Sequence, residues 1–341
     1  MQVINLPSYL ECLSEARMQS YKAFFFTAGS PSTDDELVAL YHWNSELAEM
    51  LWKLISLIEI ALRNKVHTVL SNEHFQTAKN MVANGSDKKQ FTTNKVPTQT
   101  YGKKQSCNWY HAVNFSGEPL TLITSITHKN MRGKYVARQH PKSPDDVISA
   151  LTFGFWRYIF LNLDKAGEDH KNIITKSFPY APFSNTAISS RVEFKLDCRL
   201  DMIHSIRNRI SHHEPLWKMG NMLEEVASPR PGFPKNRKKI KTKPKNIKEC
   251  CDHLKEYHNQ MVDFLSWIDR DLAASYKSSW WHDRMVFICS MQDVGSVINS
   301  SPITTEVSYK MLKRNIRAIA FRDKSKIISK GSKRSLIIPL R

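Results

Sequence analysis

Residues 200–216 read LDMIHSIRNRISHHEPL, and the chain can be read outward from them. Ile203, Ile206 and Ile210 recur at helical spacing, with Leu196 and Leu200 behind them, which makes an apolar stripe along one helix. Beside the stripe stand Arg207, Asn208, Arg209, His212 and His213. Pro215 ends the helix, because proline lacks an N–H and disfavours helical geometry in Glu214. The spacing therefore predicts a helix from about Arg191 to His213, opened by Ser189 and Ser190, with a guanidinium, a carboxamide and two imidazoles in its last turns.

Those residue types suggest a chemistry. At about 100° per residue, Arg207 and His212 stand about 140° apart on a regular helix, so they share no face. Both can flank a cleft formed with a second helix, especially if the last turn loosens. Cations at a helix C-terminus are favoured by the dipole. Histidine suits proton transfer near neutral pH, and arginine is a natural fork for phosphate. With no acidic cluster nearby, the combination suggests metal-free phosphodiester chemistry in RNA, with the 2′-hydroxyl as nucleophile and no cofactor. A zinc site from His212, His213 and Glu214 is geometrically poor, since consecutive helical side chains point about 100° apart. Glu214 either orients an imidazole or caps backbone, and His213 is either a second active-site group or a packed neighbour.

Arg207-Asn208-x-x-x-His212 resembles the R-x-x-x-x-H signature of HEPN ribonucleases, and RNRISHHEPLW resembles the Abi-like (abortive-infection) family of bacterial phage-defence proteins. Tyr41-His42-Trp43-Asn44 with Leu57 to Asn64 (LIEIALRN) resembles that family's first block. Leu151 to Trp156 (LTFGFW) resembles a second block, and Phe264 to Ile268 a loose closing block. The resemblance covers roughly residues 35–275, with gaps over 72–140. It implies a mainly α, HEPN-like helical bundle and a metal-independent endoribonuclease of a phage-defence or toxin-antitoxin system. Two signature helices would meet in a homodimer or larger homo-oligomer. His212 would be the general acid or base, Arg207 the phosphate-holding group, and Asn208 a partner of backbone, histidine or substrate. Glu59 and Arg63, four residues apart, are a surface ion pair or supporters of this site, together with His213 and Glu214. Partners would be substrate RNA and a regulatory RNA or antitoxin protein. The alternative is a non-catalytic RNA-binding module or a regulatory protein of a defence complex.

Charge agrees with an anionic partner. The chain carries a net +18 over 341 residues. Residues 230–248 contribute nine basic residues and no acid, and residues 310–341 contribute eleven against Asp323 alone, so the excess is concentrated in two regions. Arg237, Lys238, Lys239 and Lys241, with Arg209, are the expected RNA contacts, on a flexible loop that Pro229, Pro231, Pro234 and Pro244 keep from being helical. The sequence has no G-x-x-x-x-G-K-S/T and no G-x-G-x-x-G, which argues against a glycine-loop nucleotide binder. Six scattered cysteines without a C-x-x-C suggest free thiols in a reducing cytoplasm. No apolar run reaches membrane-spanning length, and Glu11 and Glu15 with no basic head argue against a signal peptide.

The organisation expected is a helical domain over 1–275, with a polar insertion at about 72–140 and the basic loop, then a basic extension over 276–341. Residues 1–30 read as a helical arm with aromatics at 21 and 24–26. Leu37 to Val66 carry a long stripe, predicting a helix from Asp34 to Leu70 that is either single or joined near Asn44. Arg63-x-x-x-His67 echoes the main motif as a supporting feature. Residues 72–120 read as irregular, with Trp109 and Tyr110 either stacking beside Lys103 and Lys104 or anchoring a loop. Leu120 to His128 is a helix or strand candidate. Ser143 and Pro144 open a helix through Ile159, on which Gly154 suggests close packing, and Cys250 to Tyr276 is another. Beyond 280 little helical pattern is visible, and Ser335 to Leu340 is a strand candidate.

Overall fold

In the computed structural model, the described residues are 3, 5–26, 32–84, 102–183, 188–225, 237–291, 293–300, 305–316, 326–330 and 333–337. The expected break at 29–31, the loop at 85–97 and the first part of the basic run, 229–236, lie outside them.

The chain is mainly helical. Among the described residues the helices are α1 (Leu6–Leu13), α2 (Glu15–Phe25), α3 (Asp34–Asn84), α4 (Glu118–Thr127), α5 (Pro144–Ala150), α6 (Phe153–Arg157), α7 (Ile159–Lys165), α8 (His170–Ser177), α9 (Ser190–Ser211), α10 (Ile247–Ile268), α11 (Arg270–Lys277), α12 (Trp280–Ile288), α13 (Val294–Ser300) and α14 (Tyr309–Arg314). Three small hairpins pair β1 (Gly102–Lys103) with β2 (Ser106–Cys107), β3 (His128–Met131) with β4 (Lys134–Ala137), and β5 (Met222–Leu223) with β6 (Lys239–Lys241). A three-stranded sheet joins β7 (Thr305–Ser308) in parallel to β8 (Lys326–Lys330), which pairs antiparallel with β9 (Lys333–Ile337).

Two compact units divide these elements. The first holds Met1–Ile55, Ser205–Val262 and Ala273–Arg341, and the second Ser56–His204 and Asp263–Leu272. Residues past 276 thus belong to the same unit as the N-terminal arm and the end of the signature helix.

In the first unit the core forms along the opening half of α3, where Leu40, Leu47, Leu51 and Leu54 are fully buried. Each such leucine stabilises by about 1.5–3 kcal/mol relative to exposure. The start of α3 is acidic at Asp34, Asp35 and Glu36, and Thr33 and Glu36 exchange side-chain-to-backbone bonds in a capping box. The helix runs unbroken through Asn44. The arm closes on it through an aromatic cluster: Phe24 stacks on Trp217 at 4.4 Å between ring centroids, and Tyr21 and Phe25 meet the same indole edge-on. Leu254 and Met261 of α10 are also fully buried here.

In the second unit, α3 continues to Asn84, so residues 72–84 are helical rather than irregular. The segment from residue 102 onward is tied down, not loose. Trp109 donates through Nε1 to His67 Nδ1 at 2.8 Å, His67 Nε2 meets Ser106 Oγ at 3.1 Å, and Ser106 donates to Asp145 at 2.7 Å. Because Nδ1 accepts, the imidazole is neutral with its proton on Nε2, and burial pushes its pKa down. His67 is thus a tether of this segment. Trp109 and Tyr110 are fully buried, which settles them as anchors and removes the stacking alternative.

Leu120 to His128 resolves into α4, followed by β3. Arg132 and Gly133, both at positive φ, form the two-residue turn to β4, a pairing of signs that fits the strand twist. Ser143 caps α5 with Pro144 in its first turn, as the sequence suggested. The helix expected to reach Ile159 is instead three short ones, because Leu151, Thr152 and Tyr158 leave helical geometry. Gly154 permits no close approach: an added Cβ would meet only Thr152 Oγ1, at 3.6 Å.

Candidate active site

The signature helix α9 ends at Ser211, a turn before Pro215, through a specific cap. His213 sits at φ 54, in the left-handed region. Its N–H bonds Ile210 O at 3.0 Å, and the Glu214 N–H bonds Arg209 O at 2.8 Å. These are the two reversed bonds of a Schellman cap, with a histidine where glycine is the usual residue. The last regular helical bond runs from His212 N to Asn208 O at 2.9 Å. Sequence reasoning assigned the ending to Pro215. The geometry shows that the turn is complete before proline is reached.

Groups from the first unit hold this cap. Arg17 of α2 donates to His213 O at 2.6 Å. Arg209 pairs with Glu214 at 3.4 Å and reaches Pro215 O at 3.5 Å. Leu216 N donates to Asn44 Oδ1 at 2.8 Å in a buried bond. The Tyr41-His42-Trp43-Asn44 block therefore has local jobs: Asn44 anchors the chain after Pro215, His42 bonds the Tyr9 hydroxyl at 2.9 Å, and Trp43 packs edge-on against Phe25. Leu216 and Trp217 pack back into the core as expected.

What remains outside the cap is the chemistry-bearing set. His212 is exposed, and its imidazole has no hydrogen-bond partner among the described residues. His213 is exposed too, so it is not a packed neighbour. Arg207 is half-buried, its Nε is shielded from solvent, and that N–H donates to nothing among the described residues. Its guanidinium carbon lies 5.9 Å from the ring centre of Trp52 on α3, within cation–π range. Trp52, 39% exposed, is the residue sequence reading missed. Its signal was there, since Trp52 falls between the buried positions Leu51 and Leu54 of the stripe, where a large apolar side chain has no core to enter. Asn208 is half-buried and engaged.

Glu59 and Arg63 belong to the second unit, one turn apart on α3 and both half-buried. Arg63 Nε is likewise shielded and without a partner, whereas Glu59 is engaged.

The described part of the basic run is structured. Arg237 donates to Glu224 O at 2.7 Å and Leu223 O at 3.2 Å, Lys238 N donates to Glu224, and Lys239–Lys241 form strand β6 against β5. Lys238 and Lys239 are exposed, Lys241 reaches Asp252 O at 3.4 Å, and helix α10 begins at Ile247. From 237 onward the expected flexible loop is therefore a hairpin strand, with the Arg237 fork spent on backbone carbonyls. Among the described residues no group of three His, Cys, Asp or Glu side chains is placed to hold a metal ion, and no helix is long and apolar enough to cross a membrane.

The chain matches the family of Abi-like proteins over residues 8–218, a span from the arm to just past the cap. It belongs to that family. No curated protein and no solved structure matches it. The family match stops at Lys218, so the block at Phe264 to Ile268 lies beyond it, while the arm, which sequence reading left out, lies within it. Membership of the Abi-like family associates the chain with abortive infection, the defence in which an infected bacterium stops phage spread.

Proposed function

We propose that this Abi-like protein is a metal-independent endoribonuclease. One observation carries the reading: among the described residues the Arg207 guanidinium has no hydrogen-bond acceptor, on the helix whose capped end presents His212 free to solvent. A half-buried guanidinium with no acceptor favours an anionic oxygen at its terminal nitrogens, and a phosphate supplies it with charge assistance. His212 would take the proton from a ribose 2′-hydroxyl, or give one to the leaving 5′-oxygen. The 2′-oxygen–phosphorus bond forms as the phosphorus–5′-oxygen bond breaks, leaving a 2′,3′-cyclic phosphate and a 5′-hydroxyl. Arg207 would hold the phosphate and stabilise the charge that gathers on it. Asn208 would fix the backbone beneath His212.

Arg207 and His212 stand about 140° apart around the helix, so acid and base roles are best filled by two chains in a homodimer or larger homo-oligomer. RNA is the substrate, with a regulatory RNA or an antitoxin protein as the restraint. The exposed Lys238 and Lys239 would add phosphate contacts.

The test is incubation of the native protein, Arg207→Ala and His212→Ala with single-stranded RNA and tRNA in EDTA, followed by mapping of product ends. Cyclic-phosphate ends from the native protein alone are expected. Native cleavage that survives both substitutions, or that needs a divalent ion, would overturn the assignment.

A further inference from the structure

The same unit holds two more tryptophans near the stretch of α3 that carries Trp52. Helix α12 packs there: Arg284, only 2% exposed, meets Glu46 at 2.5 Å, and Lys53, next to Trp52 in sequence, lies 5.2 Å from the ring centre of Trp281. Trp280 follows at 6.0 Å from Trp281, with the two ring planes inclined at 55°. Trp280 is 44% exposed. Trp52 and Trp280 leave large indoles in water and Trp281 is half-buried, while Tyr276 and Met285 of the neighbouring turns are buried. Two of the three indoles come with a cation, Arg207 at Trp52 and Lys53 at Trp281. Glu49, 3.7 Å from Lys53, offsets part of that charge, but Glu46 is taken by Arg284.

We propose that Trp52, with Trp281 and Trp280 of α12, forms a stacking track for the unpaired bases of a single-stranded RNA whose phosphate Arg207 holds. The inference rests on the ribonuclease reading above and deepens it by naming the substrate as unpaired RNA. Every base has a flat π face, so indoles bind it without regard to sequence, and adjoining cations follow the phosphates. A duplex hides its base faces and gains nothing from such a track. Helix α12 lies beyond the family match, which ends at residue 218, so this half of the track is an addition to the family segment.

The experiment uses the full chain carrying His212→Ala, so that RNA is bound and not cut. A twelve-nucleotide oligouridylate and a duplex of the same length are titrated, with binding read by anisotropy and tryptophan quenching. Trp52→Ala and Trp280→Ala are each expected to weaken oligouridylate binding on the order of 10-fold, with Trp→Phe restoring most of it and duplex affinity unchanged. Trp280 is exposed, so its substitution should leave Tm in place and keeps the test valid should Trp52→Ala fold poorly. If the parent binds oligouridylate and both alanine variants bind it equally well, the track is wrong while the Arg207–His212 reading stands. If the parent binds no RNA, both fall. If the substitutions leave RNA affinity alone but convert an oligomer to a monomer in sedimentation, the indoles face a second copy and the proposal is overturned.

Discussion

His213 gives the sharpest separation of chemistry from scaffolding. Its φ of 54 puts an L residue in the left-handed region, at a cost of about 1–2 kcal/mol. His213→Gly returns that cost in the folded state. The freer glycine takes back about 0.5–1 kcal/mol through the unfolded chain. The two reversed bonds, 3.0 and 2.8 Å, and the 2.6 Å bond from Arg17 all involve backbone atoms of residues 213 and 214, so the substitution leaves them intact. The net expectation is a stability unchanged or raised by about 1 kcal/mol, which moves Tm by at most a few degrees. His213→Val has the opposite sign: a β-branched side chain is a severe outlier at positive φ, and a loss of about 1–2 kcal/mol is expected. Activity separates the roles. His213→Gly should keep RNA cleavage within about 3-fold, while His212→Ala loses about 100-fold or more. Thermal melts and initial rates in EDTA check both. A His213→Gly protein that melts as high as the native one yet is as inactive as His212→Ala would refute the cap reading and make the second imidazole a chemical participant. A valine variant as stable as the native protein would refute the strain argument itself.

Three further outcomes follow from buried or clamped groups. Burial, with His282 second, holds His258 down to about 4, and burial with His128 holds His111 down to about 3. Below about 6.5 the unfolded chain binds protons these two sites refuse, so stability is full above that pH and falls as pH drops; each site costs about 2 kcal/mol between pH 7.5 and pH 5. Urea melts at the two pH values check this, and His258→Gln should shrink the drop by about 2 kcal/mol; an unaltered drop counts against it. Arg157, 6% exposed, bridges Asp197 at 2.7 Å and Asp201 at 3.3 Å. Both carboxylates stay half-exposed, so Arg157→Leu should cost only about 1–2 kcal/mol by denaturant titration, and Arg157→Lys, lacking the fork, should not restore it. Arg17→Ala should cost about 1 kcal/mol and speed proteolysis within residues 1–30, since that guanidinium joins the arm to the cap; unchanged nicking would show the aromatic cluster suffices.

The helices that sequence made legible are those whose buried face is made of aliphatic residues. Helix α3 shows Leu40, Leu47, Leu51 and Leu54, and α9 shows Leu196, Leu200, Ile203 and Ile206. Helix α12 stayed hidden because one of its most buried side chains is Arg284, an ion whose partner Glu46 is more than two hundred residues away. The same cause hid the segment at 102–115. Its order comes from the Trp109–His67–Ser106–Asp145 chain of bonds, a set of polar contacts with no period. Strand β6 could not be seen either, because Lys239–Lys241 is only three residues long, its Ile240 stays exposed, and the ladder is supplied by Met222 and Leu223. For the candidate site, residue types and order along the chain were readable, but not which of them are spent on structure. Glu214 and Arg209 are used on each other, Arg237 on two carbonyls, while among the described residues the Arg207 guanidinium and the His212 imidazole make no hydrogen bond.

That distinction bears on how a family segment relates to a folding unit. The match ends at Lys218, directly after Trp217 has closed the arm's aromatic cluster. Yet the unit that contains this cluster also takes in Leu254 and Met261 of α10, Met285 and Arg284 of α12, and the buried Val307 and Ile328 of the small sheet. Without α12, Glu46 would stand as an unpaired carboxylate on the opening half of α3, about three turns along a helix whose other neighbours there are Leu47 and Met50, both buried. The family residues thus supply the signature, and later residues supply part of the packing around the helix that faces it. The match therefore ends within a folding unit: residues 8–55 and 205–218 share the first unit with residues 219–262 and 273–341, which lie past the match.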